Sequence, residues 1–102
     1  MPSLQVEINH QLTKDQAKER LKKFVNEIFN KYKHDISELK INWVDDKNEF
    51  SFLKAGMKIS GSLTIHPNLI IVKSQIPFAF YFMKSQIIKI IKQYGIEVLR
   101  KY

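Results

Sequence analysis

Apolar and polar residues alternate, then recur every three to four positions, then alternate again, and this rhythm divides the chain into elements. Leu4, Val6 and Ile8 alternate with Gln5, Glu7 and Asn9, the period-two pattern of a half-buried strand. His10-Gln11-Leu12 leads to Thr13, and Thr13-Lys14-Asp15-Gln16 has the form of a capping box, with Leu12 and Ala17 placed for a hydrophobic staple. Ala17, Leu21, Phe24, Val25, Ile28, Phe29 and Tyr32 then repeat at helical spacing over an arc of roughly 140°. A first helix is predicted from about Lys14 to Lys33, with Glu19, Arg20, Lys23, Glu27 and Lys31 on its wet side.

Strand periodicity returns with Leu39, Ile41 and Trp43. Asp45-Asp46-Lys47-Asn48 supplies turn chemistry, and Phe50 and Phe52 complete a hairpin. A turn at Gly56 leads to Ile59, Gly61, Leu63 and Ile65, which alternate with Ser60, Ser62, Thr64 and His66. Pro67-Asn68 turns the chain again, Leu69 to Ile76 reads as the last strand, and Pro77 closes it. From there to Tyr102, Phe80, Met83, Ile87, Ile88, Ile91, Tyr94, Val98 and Leu99 repeat at helical spacing, so one long terminal helix is predicted. Gly95 falls inside its apolar arc, either to let the helix approach the sheet or as the point of a kink.

The order is β-α-β-β-β-β-α, and most strands offer one apolar and one polar face. This asks for an α+β fold of two layers: an antiparallel five-stranded sheet with both helices on one face and the other face wet. Residues 1–102 read as a single domain, without repeats or linkers.

Composition narrows the function classes. There is no cysteine, which removes disulfides, thiolate metal sites and thiol nucleophiles. The first residues lack a basic start and an apolar run, and no segment is long and apolar enough to span a bilayer, so a cytoplasmic, non-transmembrane protein is expected. Seventeen Lys and Arg against ten Asp and Glu give a net charge of +7, which suits either solubility or an anionic partner.

Candidate chemistry is sparse. His10, His34 and His66 have no metal-ligand spacing and read as local hydrogen-bonding or helix-end residues. Asp45 and Asp46 read as a hairpin turn, and Gly56, Gly61 and Gly95 make no phosphate-binding motif. No enzyme activity, cofactor or metal is expected. Phe24, Phe29, Trp43, Phe50 and Phe52 fall on apolar-phase positions and read as core. The exception is Ile76-Pro77-Phe78-Ala79-Phe80-Tyr81-Phe82-Met83, the densest aromatic segment of the chain. Helical phase assigns Phe80 and Met83 to the core stripe and leaves Phe78, Tyr81 and Phe82 as candidates for exposure, near Lys73, Lys84 and Lys89.

The ordered pattern Ile8-Asn9-His10-Gln11-Leu12, a capped helix with Ala17, then Trp43, Phe50, Phe52, Ser60-Gly61-Ser62-Leu63-Thr64-Ile65 and an Ile-rich terminal helix resembles the polyhydroxyalkanoic acid system family. These are small bacterial proteins associated with polyhydroxyalkanoate granule gene regions. The chain departs from the usual pattern in being Lys-rich rather than Arg-rich and in its aromatic Phe78–Phe82 segment. The resemblance implies a non-enzymatic, granule-associated protein with no catalytic residues to carry over. By analogy, the element order is also similar to a reduced helix-grip arrangement.

Three readings follow. In the first, Phe78, Tyr81 and Phe82, with Lys73, Lys84 and Lys89, contact a hydrophobic polymer granule, a lipid surface or a protein partner. In the second, a cavity between the terminal helix and the sheet, lined by Trp43, Phe52, Leu63 and Ile87, carries a small hydrophobic ligand. In the third, lysines of the two helices bind nucleic acid or an anionic surface weakly, with no specific nucleic acid expected. A homodimer remains open.

Overall fold

A computed structural model describes residues 3–100. The elements are β1 (Ser3–Asn9), α1 (Lys14–Tyr32), β2 (Ser37–Val44), β3 (Lys47–Lys54), β4 (Met57–Ile65), β5 (Leu69–Gln75), a 3-10 turn (Phe78–Met83) and α2 (Lys84–Val98). The five strands form one antiparallel sheet in the order β1-β5-β4-β3-β2. β1 pairs with β5, so the first strand returns to the far edge of a four-strand meander.

Leu4, Val6, Ile8, Leu63, Ile65, Ile70 and Val72 point to one face and are buried there with Leu12 from the β1–α1 connection, Ala17 and Leu21 from α1 and Leu99 from the end of α2. Both helices therefore cover the same face, as the strand alternation requires. The capping box at the start of α1 forms in both directions: the Gln16 amide donates to Thr13 Oγ1 at 3.1 Å, and the Thr13 amide donates to Gln16 Oε1 at 3.2 Å.

The segment between β1 and α1 is fixed by His10. Its ring is buried, accepts from the Leu12 amide at Nδ1 (3.1 Å) and donates from Nε2 to the His66 carbonyl (2.9 Å), while its own amide donates to Asn68 (3.1 Å). A backbone amide can only donate, so this geometry selects the tautomer with its proton on Nε2. The Asn9-His10-Gln11-Leu12 motif is thus a clasp between the first crossover and the β4–β5 turn.

Lys14 makes an ion pair with Asp46 and ties the start of α1 to the β2–β3 turn. The hydrogen bond from Lys14 holds the Asp46 carboxyl below its ordinary range, and the same bond holds the Lys14 ammonium above its own. Further along α1, Arg20 Nη1 donates to the Val98 and Arg100 carbonyls and so closes the free carbonyl end of α2.

The first helix runs as expected, ending at Tyr32 with Lys33 as its C-cap, and one expectation is corrected. The single terminal helix is divided: Phe78–Met83 is a 3-10 turn and the α-helix runs only from Lys84 to Val98, while Lys101 and Tyr102 lie outside the described residues. Pro77 starts the turn with extended backbone and no side-chain cap. Four of the next five side chains are aromatic, and these lose rotamer freedom in an α-helix. Gly95 answers its own question: it is buried, the helix runs through it, and an added Cβ would lie 2.3 Å from Ile8 Cδ1. It is a point of close approach to β1 rather than a kink.

Candidate functional site

Ile76 and Pro77 are buried and anchor the chain at the end of β5, and the 3-10 turn that follows packs against α2 and no other element among the described residues. None of its six residues is buried. Phe78 is 78% exposed, Tyr81 51% and Phe82 83%, whereas Phe80 and Met83 are half-buried. In a 3-10 helix positions i and i+3 eclipse, which stacks Phe78 above Tyr81 on one side and Phe80 above Met83 on the other. The division made from helical phase therefore survives the change of helix type.

The lysines expected beside these rings separate. Lys84 Nζ lies 5.6 Å from the centroid of Tyr81, a cation over an aromatic face. Lys89 is exposed on α2. Lys73 lies on β5 and points to the open side of the sheet, where it and Lys84 line a groove of about 900 Å³.

That groove was not visible in the sequence. Strand register builds its floor: Gln5, Lys73, Ser62, Glu49 and Asn42 form one row across all five strands, and Ser3, Gln75, Ser60, Ser51 and Lys40 form the next. Every side chain in the two rows is polar. Lys47 lies beside Glu49 at 3.5 Å and also lines the groove.

A second recess lies on the helix side. Between α1, α2 and the sheet is an apolar cleft of about 460 Å³, lined by Phe24, Val25, Ile28, Tyr32, Leu63, Ile90, Tyr94 and other apolar residues, with Gly95 at its wall. Of the residues expected to line a cavity, only Leu63 does so. Trp43 packs under Lys18 and Lys22 of α1, Phe52 meets Phe29 edge to face, and Ile87 packs on the core. The missed signal was the apolar stripe in the second half of α1, whose residues are only half-buried.

Among the described residues no three His, Asp or Glu side chains come together, and no helix is long and apolar enough to cross a membrane.

No curated protein matches the chain. The structure of TTHA0849 from Thermus thermophilus aligns with a TM-score of 0.41 at 12% identity, over 98% of this chain and 92% of that one, and bears on neither fold nor function. The family described as "Putative polyhydroxyalkanoic acid system protein" matches residues 4–99, from the first strand through the clasp at His10 and the Gly61 strand to the end of α2. On that match the chain belongs to the polyhydroxyalkanoic acid system family.

Proposed function

We propose that the protein is a non-enzymatic surface-binding protein that seats its aromatic turn on a hydrophobic boundary, the surface of a polyhydroxyalkanoate granule in the setting its family name suggests. The observation that supports this reading is the exposure of Phe78, Tyr81 and Phe82 on one turn held away from the rest of the fold. Apolar surface of this kind, contiguous and beside a cation, marks interaction sites. Phe rings give large contact area, and Tyr81 with Lys84 offers the amphipathic margin that a wet boundary needs.

Burying a Phe side chain is worth about 1.5–3 kcal/mol, so losing two of them should weaken partition by at least about 100-fold. The test is sedimentation with polyester granules and, separately, with anionic vesicles, comparing the parent with Phe78→Ser/Phe82→Ser. Loss of co-sedimentation with an unchanged circular dichroism spectrum supports the proposal. A double variant that sediments like the parent ends it.

The apolar cleft favours a second reading, a carrier for an acyl chain. Its volume of about 460 Å³ falls within the usual range for ligand pockets. A medium-chain fatty acid should then shift the NMR methyl signals of Val25, Ile28 and Ile90. No shifts at millimolar ligand would remove this reading and leave the first intact.

A further inference from the structure

We infer that the open face of the sheet binds an extended polyanion that carries no aromatic rings, independently of the aromatic turn. Lys40, Lys47, Lys73 and Lys84 line the groove, and Glu49 is its one lining carboxylate, already paired with Lys47. Hydroxyls and amides fill the positions between them, which suits oxygen-rich groups that accept and share hydrogen bonds.

Strand spacing sets the size of the partner. Lys73 on β5 is two strands from Lys47 and three from Lys40, each offset from it by two residues along the strands, which gives about 12 and 16 Å at ~4.8 Å per strand and ~3.4 Å per residue. A lone phosphate or carboxylate reaches one or two of these cations, whereas a chain of anionic groups meets them all. Single-stranded nucleic acid gains its affinity partly by stacking bases on exposed rings; neither polar row holds a ring, and Phe50, which also lines the groove, pairs with Gly61 and belongs to the opposite face of the sheet. The charge pattern thus fits a polyanion of the linear polyphosphate type.

The test uses sodium polyphosphate as the probe, followed by calorimetry at low and moderate salt, on the full chain. Binding should weaken as salt rises. Lys40→Gln/Lys47→Gln/Lys73→Gln should lower affinity at least 30-fold and reduce the log–log salt slope by about 2, at ~0.7 per lost contact. These lysines are exposed, so the variant should melt with the parent. Lys23→Gln/Lys89→Gln/Lys92→Gln, on the helices, removes the same charge and should change affinity less than threefold. Phe78→Ser/Phe82→Ser should bind polyphosphate like the parent, which separates this site from the aromatic turn. Equal losses in the two lysine triples, or no binding at low salt, would overturn the inference. Tighter, lysine-dependent binding of single-stranded DNA than of polyphosphate would replace it with a nucleic-acid interface.

Discussion

Gly61 is the position where a single methyl group should do most damage. A Cβ built there would stand 2.3 Å from the Lys73 carbonyl oxygen, 2.8 Å from Phe50 Cζ and 3.0 Å from Ser74 Cα. The Phe50 ring can turn aside. The other two atoms belong to the backbone of β5, and the strand cannot withdraw without breaking its ladder to β4. Overpacking a core typically costs about 1–3 kcal/mol, and loosening one or two ladder hydrogen bonds adds about 1 kcal/mol each. Gly61→Ala should therefore cost about 3–4 kcal/mol, a large part of a total stability of roughly 5–15 kcal/mol, and lower Tm by about 15–25 °C.

Gly95→Ala is the internal control, because the obstacle is different. Its nearest neighbour would be the tip of the Ile8 side chain, also at 2.3 Å. That tip can rotate, and alanine gains about 1 kcal/mol of helix propensity over glycine. Its net cost should stay below about 2 kcal/mol. Urea unfolding of the three proteins gives the order, and hydrogen exchange should show faster opening at Lys73 and Ser74 in Gly61→Ala alone. If Gly61→Ala unfolds within about 1 kcal/mol of the parent, or costs less than Gly95→Ala, the close approach of β4 and β5 is not what the glycine serves.

Further predictions follow from the turns, the ion pair and the core. Ala55 has φ 53° and precedes Gly56 at φ 75° in the β3–β4 turn, a pair of positive values that suits Asn-Gly; Ala55→Asn should raise stability by about 0.5–1 kcal/mol, and a drop in Tm would refute this. Asp46 is held below the ordinary carboxylate range by Lys14, so its contribution is full above the unfolded carboxylate pKa and lost as pH falls through the folded one. The stability gap between parent and Asp46→Asn should then hold from neutral pH down to the unfolded carboxylate value of about 4 and close only in more acid solution, and a gap that widens in acid would reverse the assignment. Asn48 is 1% exposed and its Oδ1 has no hydrogen-bond partner among the described residues, so Asn48→Val should be neutral or stabilising in urea while Asn48→Asp, which buries a charge, should cost several kcal/mol. A destabilising Asn48→Val would mean that the amide makes a bond that holds the core together.

Element order was legible because each step rests on local chemistry. Thr13 and Gln16 cap a helix wherever they stand three apart before an apolar run, and Leu4, Val6 and Ile8 can hide together only on one face of a strand. The aromatic turn shows where such reasoning bends without failing. Helical phase at 100° per residue separated Phe80 and Met83 from Phe78 and Tyr81, and a 3-10 turn at 120° keeps the same separation over so short a span. What phase could not supply was the break at Lys84, because nothing in Phe-Ala-Phe-Tyr-Phe-Met forbids an α-helix outright; the turn starts without a side-chain cap at Pro77, directly after a buried Ile76.

The groove was hidden for a different reason. Ser60, Ser62, Gln75 and Lys73 each look like ordinary solvated strand residues, and alternation within one strand says only which way they point. A binding surface on a sheet is made of rows, and a row exists only once register sets Lys73 beside Ser62 and Ser62 beside Glu49. β1 closes each row from the far end of the sequence, through its pairing with β5. Lysine number could be read in advance, but not lysine spacing, and spacing is what separates a solubilising charge from a site. The same register puts Gly61 between the two polar rows, where the close approach of β4 to β5 also shapes the groove floor. The residue that most constrains the fold and the surface that most constrains the partner therefore depend on one strand pair.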